Sequence, residues 1–153
     1  MVKIVKPSAV VITPLDGEAI LKHLEICGRT CYKSESQITP ESAKKMIAKL
    51  LELGHESVIE HFSVTAQLVC DVGAYKDLTR HRIASFSIES TRYCNYSKGR
   101  FGNELAVIEP VNIPKGSKEY DVWLDTMNYI EQNYMKMSEI EGTRTDQLRM
   151  LLP

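Results

Sequence analysis

No run of apolar residues approaches the length needed to cross a bilayer, and the opening Met1-Val2-Lys3-Ile4-Val5-Lys6-Pro7 lacks the long apolar stretch of a secretory leader. The cytoplasm is the expected compartment, and no membrane partner is expected. Charge of one sign is not in excess either. Nineteen Lys and Arg oppose 20 Asp and Glu, a formal net charge of −1, so no global field draws the chain to nucleic acid or anionic lipid and any anion site must be local. Internal repeats, low-complexity tracts and linkers are absent, and 43% hydrophobic with 25% charged residues is an ordinary globular composition. A single packed domain over residues 1–153 is expected.

Cysteine is too scarce for a disulfide framework. Cys27, Cys31, Cys70 and Cys94 lie in a chain with no targeting signal, where reduced thiols are the expectation. A zinc site is not expected. The pair His55 and His61 is separated by a six-residue step that turns the two side chains to different helix faces, whereas a metalloprotease motif needs them one turn apart.

What is present is a mixture of strand and helix patterns. Val10–Thr13 is a β-prone run broken by Pro14 and Asp16-Gly17, and Ile20, Leu24, Cys27 and Cys31 then fall on one helical stripe. Thr39 as N-cap with Pro40 at the first helical position predicts a second helix through Ala43, Met46, Ile47, Leu50 and Leu51, stopped by Gly54. Alternation from Phe62 to Cys70 predicts a half-buried strand, and Asp71 can cap a short helix running toward His81. Residues 85–103 read as irregular, followed by a strand at Leu105–Ile108. Trp123, Met127, Ile130, Tyr134 and Met137 mark a long amphipathic helix ended by Gly142, and a last helical start follows at Thr145. The fold class expected is α+β, a small mixed or antiparallel sheet packed with helices.

The chemistry concentrates between residues 80 and 100. Five basic residues, Arg80, Arg82, Arg92, Lys98 and Arg100, face one acid, Glu89, and five hydroxyl-bearing residues precede Cys94. Guanidinium forks and hydroxyls are the groups that hold phosphate oxygens, so composition points to a phosphorylated ligand; a solvated charge run or structural ion pairing is the competing reading. RNA binding is disfavoured, because it calls for a broader basic surface. The order of the residues adds more: Arg80-His81-Arg82, seven residues, then Ser90 with Arg92-Tyr93.

That pattern resembles the signature of the flavin-dependent thymidylate synthases, the thymidylate synthase-complementing protein family. Gly54-His55-Glu56-Ser57-Val58-Ile59-Glu60-His61 is similar to the histidine segment of the same family, and Gln147-Leu148-Arg149-Met150-Leu151-Leu152-Pro153 to its arginine-containing helix ending in Leu-Pro. The resemblance spans nearly the whole chain. It implies that family's fold and a reductive methylation of dUMP to dTMP, in which methylenetetrahydrofolate gives the carbon, NADPH the electrons and FAD carries them. It further implies that Arg80, His81 and Arg82 lie against FAD and substrate, that His55, Ser57 and Glu60 belong to the flavin site, and that Ser90, Arg92 and Arg149 bind dUMP. No cysteine nucleophile is implied, and the cysteines read as small apolar residues. A homotetramer with FAD at subunit junctions is the implied assembly.

Three departures stand out. Many relatives carry Asn-Glu close to the motif serine where this chain has Ser87-Ile88-Glu89, so its acid sits one position along; Asp77 stands where some relatives place glutamine; and Cys31 aligns with a small polar cofactor-contact position of some relatives. Relatives also continue past the Leu-Pro into helices with an Asn-Ala-Arg segment. The expectation is therefore a C-terminally incomplete member with impaired catalysis in isolation, and the alternative function is a non-catalytic nucleotide- or flavin-binding remnant.

Overall fold

The computed structural model describes residues 1–153, which divide into two compact units, Met1–Ser8 with Leu68–Pro153, and Ala9–Gln67. β2 (Ser8–Val11) and β3 (Ala66–Val69) pair as a two-stranded sheet. The architecture is α+β, as the pattern of periods predicts. No helix is long and apolar enough to cross a membrane.

In the unit Ala9–Gln67, α1 (Gly17–Thr30) starts where Asp16 accepts the Glu18 and Ala19 N–H groups at 3.0 and 3.1 Å. Two of the helix's orphan donors are thereby satisfied. Its inner face packs on α2 (Ser42–Glu52), and Leu24, Ile47, Leu50 and Val58 form the core. Gly28 makes the approach close. A Cβ built there would stand 3.0 Å from Met46 Cε, 3.1 Å from Leu50 Cδ1 and 3.2 Å from Val58 Cγ2. The cap expected at Thr39 is displaced: Thr39 N–H donates to Ser42 Oγ at 2.8 Å, and that hydroxyl donates back to the Thr39 carbonyl at 3.0 Å. This local exchange holds residues 39–42 in a turn, and the helix proper begins at Ser42.

The unit Met1–Ser8 with Leu68–Pro153 has a parallel pair at its centre. β1 (Lys3–Val5) runs beside β4 (Ala106–Ile108) in the register Lys3↔Ala106, Ile4↔Val107, Val5↔Ile108. α3 (Val72–Leu78) begins on Asp71, as the sequence suggests, with Gly73 and Ala74 N–H donating to its carboxylate at 2.7 and 3.0 Å. α4 (Lys118–Ser138) starts on Ser117, whose hydroxyl accepts the Tyr120 N–H, and buries Tyr120, Met127, Glu131 and Tyr134 at helical spacing. Gly142 then turns the chain at φ 82°, a conformation that glycine adopts without steric cost. α5 (Thr145–Leu148) follows and continues as a 3-10 turn at Arg149–Leu151. Val2, Leu105, Val107, Met127, Tyr134 and Leu148 are the core of this unit. Buried Glu131 is tied down at both oxygens, one accepting the Leu105 N–H at 3.1 Å and the other pairing with the Met1 amino group at 3.0 Å.

Two strand expectations need correction, and the first is the run at Val10–Thr13, which is a strand at Ser8–Val11. The strand foreseen from Phe62 to Cys70 is confined to Ala66–Val69, and Val64 and Leu68 are 53% and 44% exposed. Alternation marks a face suited to burial, but a ladder with a single partner, β2, leaves that face open here. β1 carries no sequence signal of comparable strength, being three residues whose only ladder partner, β4, lies some hundred positions away.

Candidate functional site

The motif begins where α3 ends. Arg80 and His81 N–H groups donate to the Asp77 and Leu78 carbonyls at 3.3 and 3.1 Å, so both residues occupy the turn that closes the helix. Cations at this place oppose the negative end of the helix dipole. Arg80 makes one ion pair, with Asp77 at 3.8 Å, and both side chains are more than four-fifths exposed. In water so wide a pair contributes little, which leaves the guanidinium free to exchange partners. The ion pairs of the chain engage none of Arg82, Arg92 or Arg149.

From Arg80 to Glu89 every residue is exposed, including three large apolar ones. Ile83 is 97% exposed, and Phe86 and Ile88 also face water. Apolar side chains held open beside a row of cations suit a ligand with a flat ring and an anionic tail. Motif spacing draws the eye to the arginines and misses these residues; their signal was apolar character inside an otherwise polar loop.

Ser90 is half-buried, and its carbonyl accepts the Tyr93 and Cys94 N–H groups at 3.0 and 2.9 Å, turning the chain so that Arg92 projects into solvent. Beyond it Tyr96 is anchored three ways. Its N–H donates to the Tyr134 hydroxyl at 3.2 Å, its ring meets Phe101 edge-on at 6.4 Å, and its hydroxyl donates a short hydrogen bond to Glu89. Burial, and then the Glu89 carboxylate, push the Tyr96 phenol well above its ordinary value. Glu89 thus has a definite partner in this structure, one that its position in the motif did not suggest. Glu89, Thr91 and Tyr96 line a cavity of about 320 Å³ with Val107, Trp123 and Met127, and Leu152 and Pro153 also border it.

Arg149 is exposed at the start of the terminal 3-10 turn, while the preceding Leu148 is 1% exposed and fixes the turn to the core. Arg144 forks onto Asp146 at 2.9 and 2.7 Å and holds its carboxyl below the usual range, with a smaller contribution from Arg92. No hydrogen bond or ion pair runs from Arg80, His81 or Arg82 to Ser90, Arg92 or Arg149.

His55, Ser57 and Glu60 belong to the other unit. α2 closes with Gly54 at φ 73°, whose N–H donates to Leu51, and with the His55 N–H donating to the Leu50 carbonyl at 2.8 Å. These two bonds are the Schellman arrangement and place His55 at the mouth of a 3-10 segment, Glu56–His61. Side chains three apart eclipse on such a helix, so Ser57 and Glu60 share one exposed face while Val58 turns into the core.

These features coincide with a family match. The family model described as "Thymidylate synthase complementing protein" matches residues 18–153, and the chain belongs to that family. Among curated relatives, the chain is 31% identical to "Probable flavin-dependent thymidylate synthase" of Mycobacterium phage D29, over 72% of this chain and 47% of that protein. It is 29% identical to "Flavin-dependent thymidylate synthase" of Pyrococcus furiosus, over 82% of this chain and 51% of that protein. A protein of the same name in Geobacter sulfurreducens is 26% identical over 88% of this chain and 62% of its own length. The chain thus spans roughly half the length of the curated relatives it matches. No solved structure matches it.

Proposed function

We propose that the chain serves the FAD-dependent reductive methylation of dUMP to dTMP, with methylenetetrahydrofolate as carbon donor and NADPH as reductant. The observation that carries this reading is the exposed segment Arg80–Glu89, in which Arg80 and Arg82 precede solvent-facing Ile83 and Phe86 within a chain of this family. The donor set fits a flavin dinucleotide. Arg80 and Arg82 would hold its phosphates, His81 would sit beside them, and the neighbouring cations would offset negative charge on the reduced ring. When bound, the flavin supplies the electron transfer that no side chain of this chain can perform.

The remaining assignments follow the same chemistry. Ser90 offers a hydroxyl, and Arg92 and Arg149 offer unpaired guanidiniums, to the phosphate of dUMP. His55 with the Ser57–Glu60 face is assigned to the flavin. Residues 1–153 act as one domain of the family, a reading supported by a family match that runs across both compact units. The working assembly is a homotetramer in the cytoplasm.

The test is a visible absorption spectrum of the purified protein loaded with FAD, taken before and after adding dUMP. Retained flavin whose bands shift on dUMP addition is expected. Alanine at both Arg80 and His81 should weaken FAD retention at least about tenfold, the loss of one charge-assisted contact. Failure of the parent protein to take up any FAD would overturn the reading.

A further inference from the structure

Within the unit Ala9–Gln67 a second concave site is lined by none of the residues assigned above. It is a cavity of about 570 Å³ between the end of α1 and the outer face of α2, lined by Arg29, Tyr32 and Ser34 on one side and by Lys45, Lys49 and Leu53 on the other. That volume falls within the range of small-molecule sites. Its lining contains three cations and no acid. The Arg29 charge is offset by Glu25 at 2.8 Å, but no ion pair holds Lys45 or Lys49, whose ammonium groups stand one helical turn apart on the same face.

The apolar part of the lining is equally specific. Tyr32 and Leu53 are 62% and 59% exposed, one on each side, while Leu50 is buried beneath them. Lys33 links Tyr32 to Ser34 at φ 49°, an uncommon conformation for a side chain of this kind, and the Tyr32 and Ser34 N–H groups donate back to the Arg29 carbonyl at 3.0 and 3.3 Å. The turn thereby presents an aromatic ring and a hydroxyl at the rim opposite the lysines. Gln37 accepts from Arg29 at 3.1 Å and, with Glu25, fixes the guanidinium at the edge.

We propose that this groove binds a phosphomonoester that carries a planar ring, a nucleoside monophosphate being the simplest example. The phosphate lies between Lys45 and Lys49, and the ring lies against Tyr32 and Leu53. Two unpaired ammoniums with an aromatic face nearby are the complement of such a ligand, whereas a bare anion would leave the apolar faces uncovered. The site is independent of the thymidylate reading and stands or falls separately.

The experiment titrates the full chain with adenosine 5′-monophosphate, adenosine and inorganic phosphate, read by amide NMR shifts. Adenosine 5′-monophosphate is expected to move amides in residues 29–53 and to bind more tightly than either adenosine or phosphate. Lys45→Gln with Lys49→Gln, both on the exposed face of α2, should weaken that binding at least about tenfold. Tyr32→Ala should reduce affinity for the nucleotide without changing that for phosphate. Arg80→Ala with Arg82→Ala should leave the shifts in residues 29–53 as they are. The proposal is overturned if the lysine pair variant binds as the parent does, if phosphate binds as tightly as the nucleotide, or if residues 29–53 do not respond.

Discussion

Gly28 decides how closely α1 approaches α2 and the 3-10 segment behind it. Side-chain ends from three residues crowd the space its missing Cβ leaves, at 3.0 to 3.2 Å from where that carbon would be. Alanine there would gain helix propensity and lose some of it to crowding, so its sign depends on how far Met46 can yield. Valine adds two further carbons that have nowhere to go. Gly28→Val is expected to destabilise the protein by about 1–3 kcal/mol, read as a lower urea midpoint with an unchanged slope. An unchanged midpoint would mean that the helices separate without cost. Tyr96 permits a second prediction at this scale. Burial and the Glu89 carboxylate raise its folded-state value, so the folded protein holds the phenol proton more tightly than the unfolded chain. Its contribution to stability is full below about pH 10, the unfolded value, and is lost as pH rises through the raised folded value. Burial raises Tyr120 and Tyr134 as well, so ultraviolet titration should show a late-ionising group of tyrosines that Tyr96→Phe reduces by one. If the tyrosine lost in Tyr96→Phe is one that ionises near the ordinary value of about pH 10, Tyr96 is neither buried nor paired with Glu89 in solution.

Helix α5 shows how one buried residue fixes the exposed side chain that follows it. Leu148 is its one buried side chain, and Arg149 follows directly on the exposed side of the turn. Leu148→Ala removes that anchor at a nearly inaccessible site and is expected to cost about 2–5 kcal/mol, measured by chemical denaturation. It should also weaken dUMP binding, because the turn carrying Arg149 loses its fixed position. The apolar stripes of the long helices were legible in the sequence, as were the Asp71 cap of α3 and the Gly54 stop of α2: these and the four-and-three spacing of α4 are short-range signals read within a turn or two. The start of α2 was not, because Ser42 and Thr39 compete for the same local bonds. β1 was not either, since a three-residue strand takes its identity from a distant partner. At the site the spacing of Arg80, Ser90 and Arg92 was legible, whereas the Glu89–Tyr96 contact was not. It depends on Tyr134, 38 residues further on, holding the Tyr96 backbone in place.

At the scale of the whole molecule the formal charge is −1, so an anionic substrate gains no long-range attraction from the protein at large. Affinity for a phosphate must then come from a few local guanidiniums, and removing one should be felt almost in full. Among the residues proposed to bind substrate, Arg92 and Arg149 are the two guanidiniums, and neither has an ion-pair partner to fall back on. Losing a charge-assisted hydrogen bond costs about 1.5–3 kcal/mol, or roughly ten- to 150-fold in affinity. Arg92→Ala and Arg149→Ala are each expected to weaken dUMP binding in that range while leaving deoxyuridine binding and FAD retention near the parent values. The difference between parent and variant should shrink as salt is raised, because exposed charges are screened within about 10 Å at 0.1 M. Calorimetric titration of dUMP and deoxyuridine at two salt concentrations measures all of these quantities. Equal losses for both ligands would move the two arginines from phosphate recognition to a structural role.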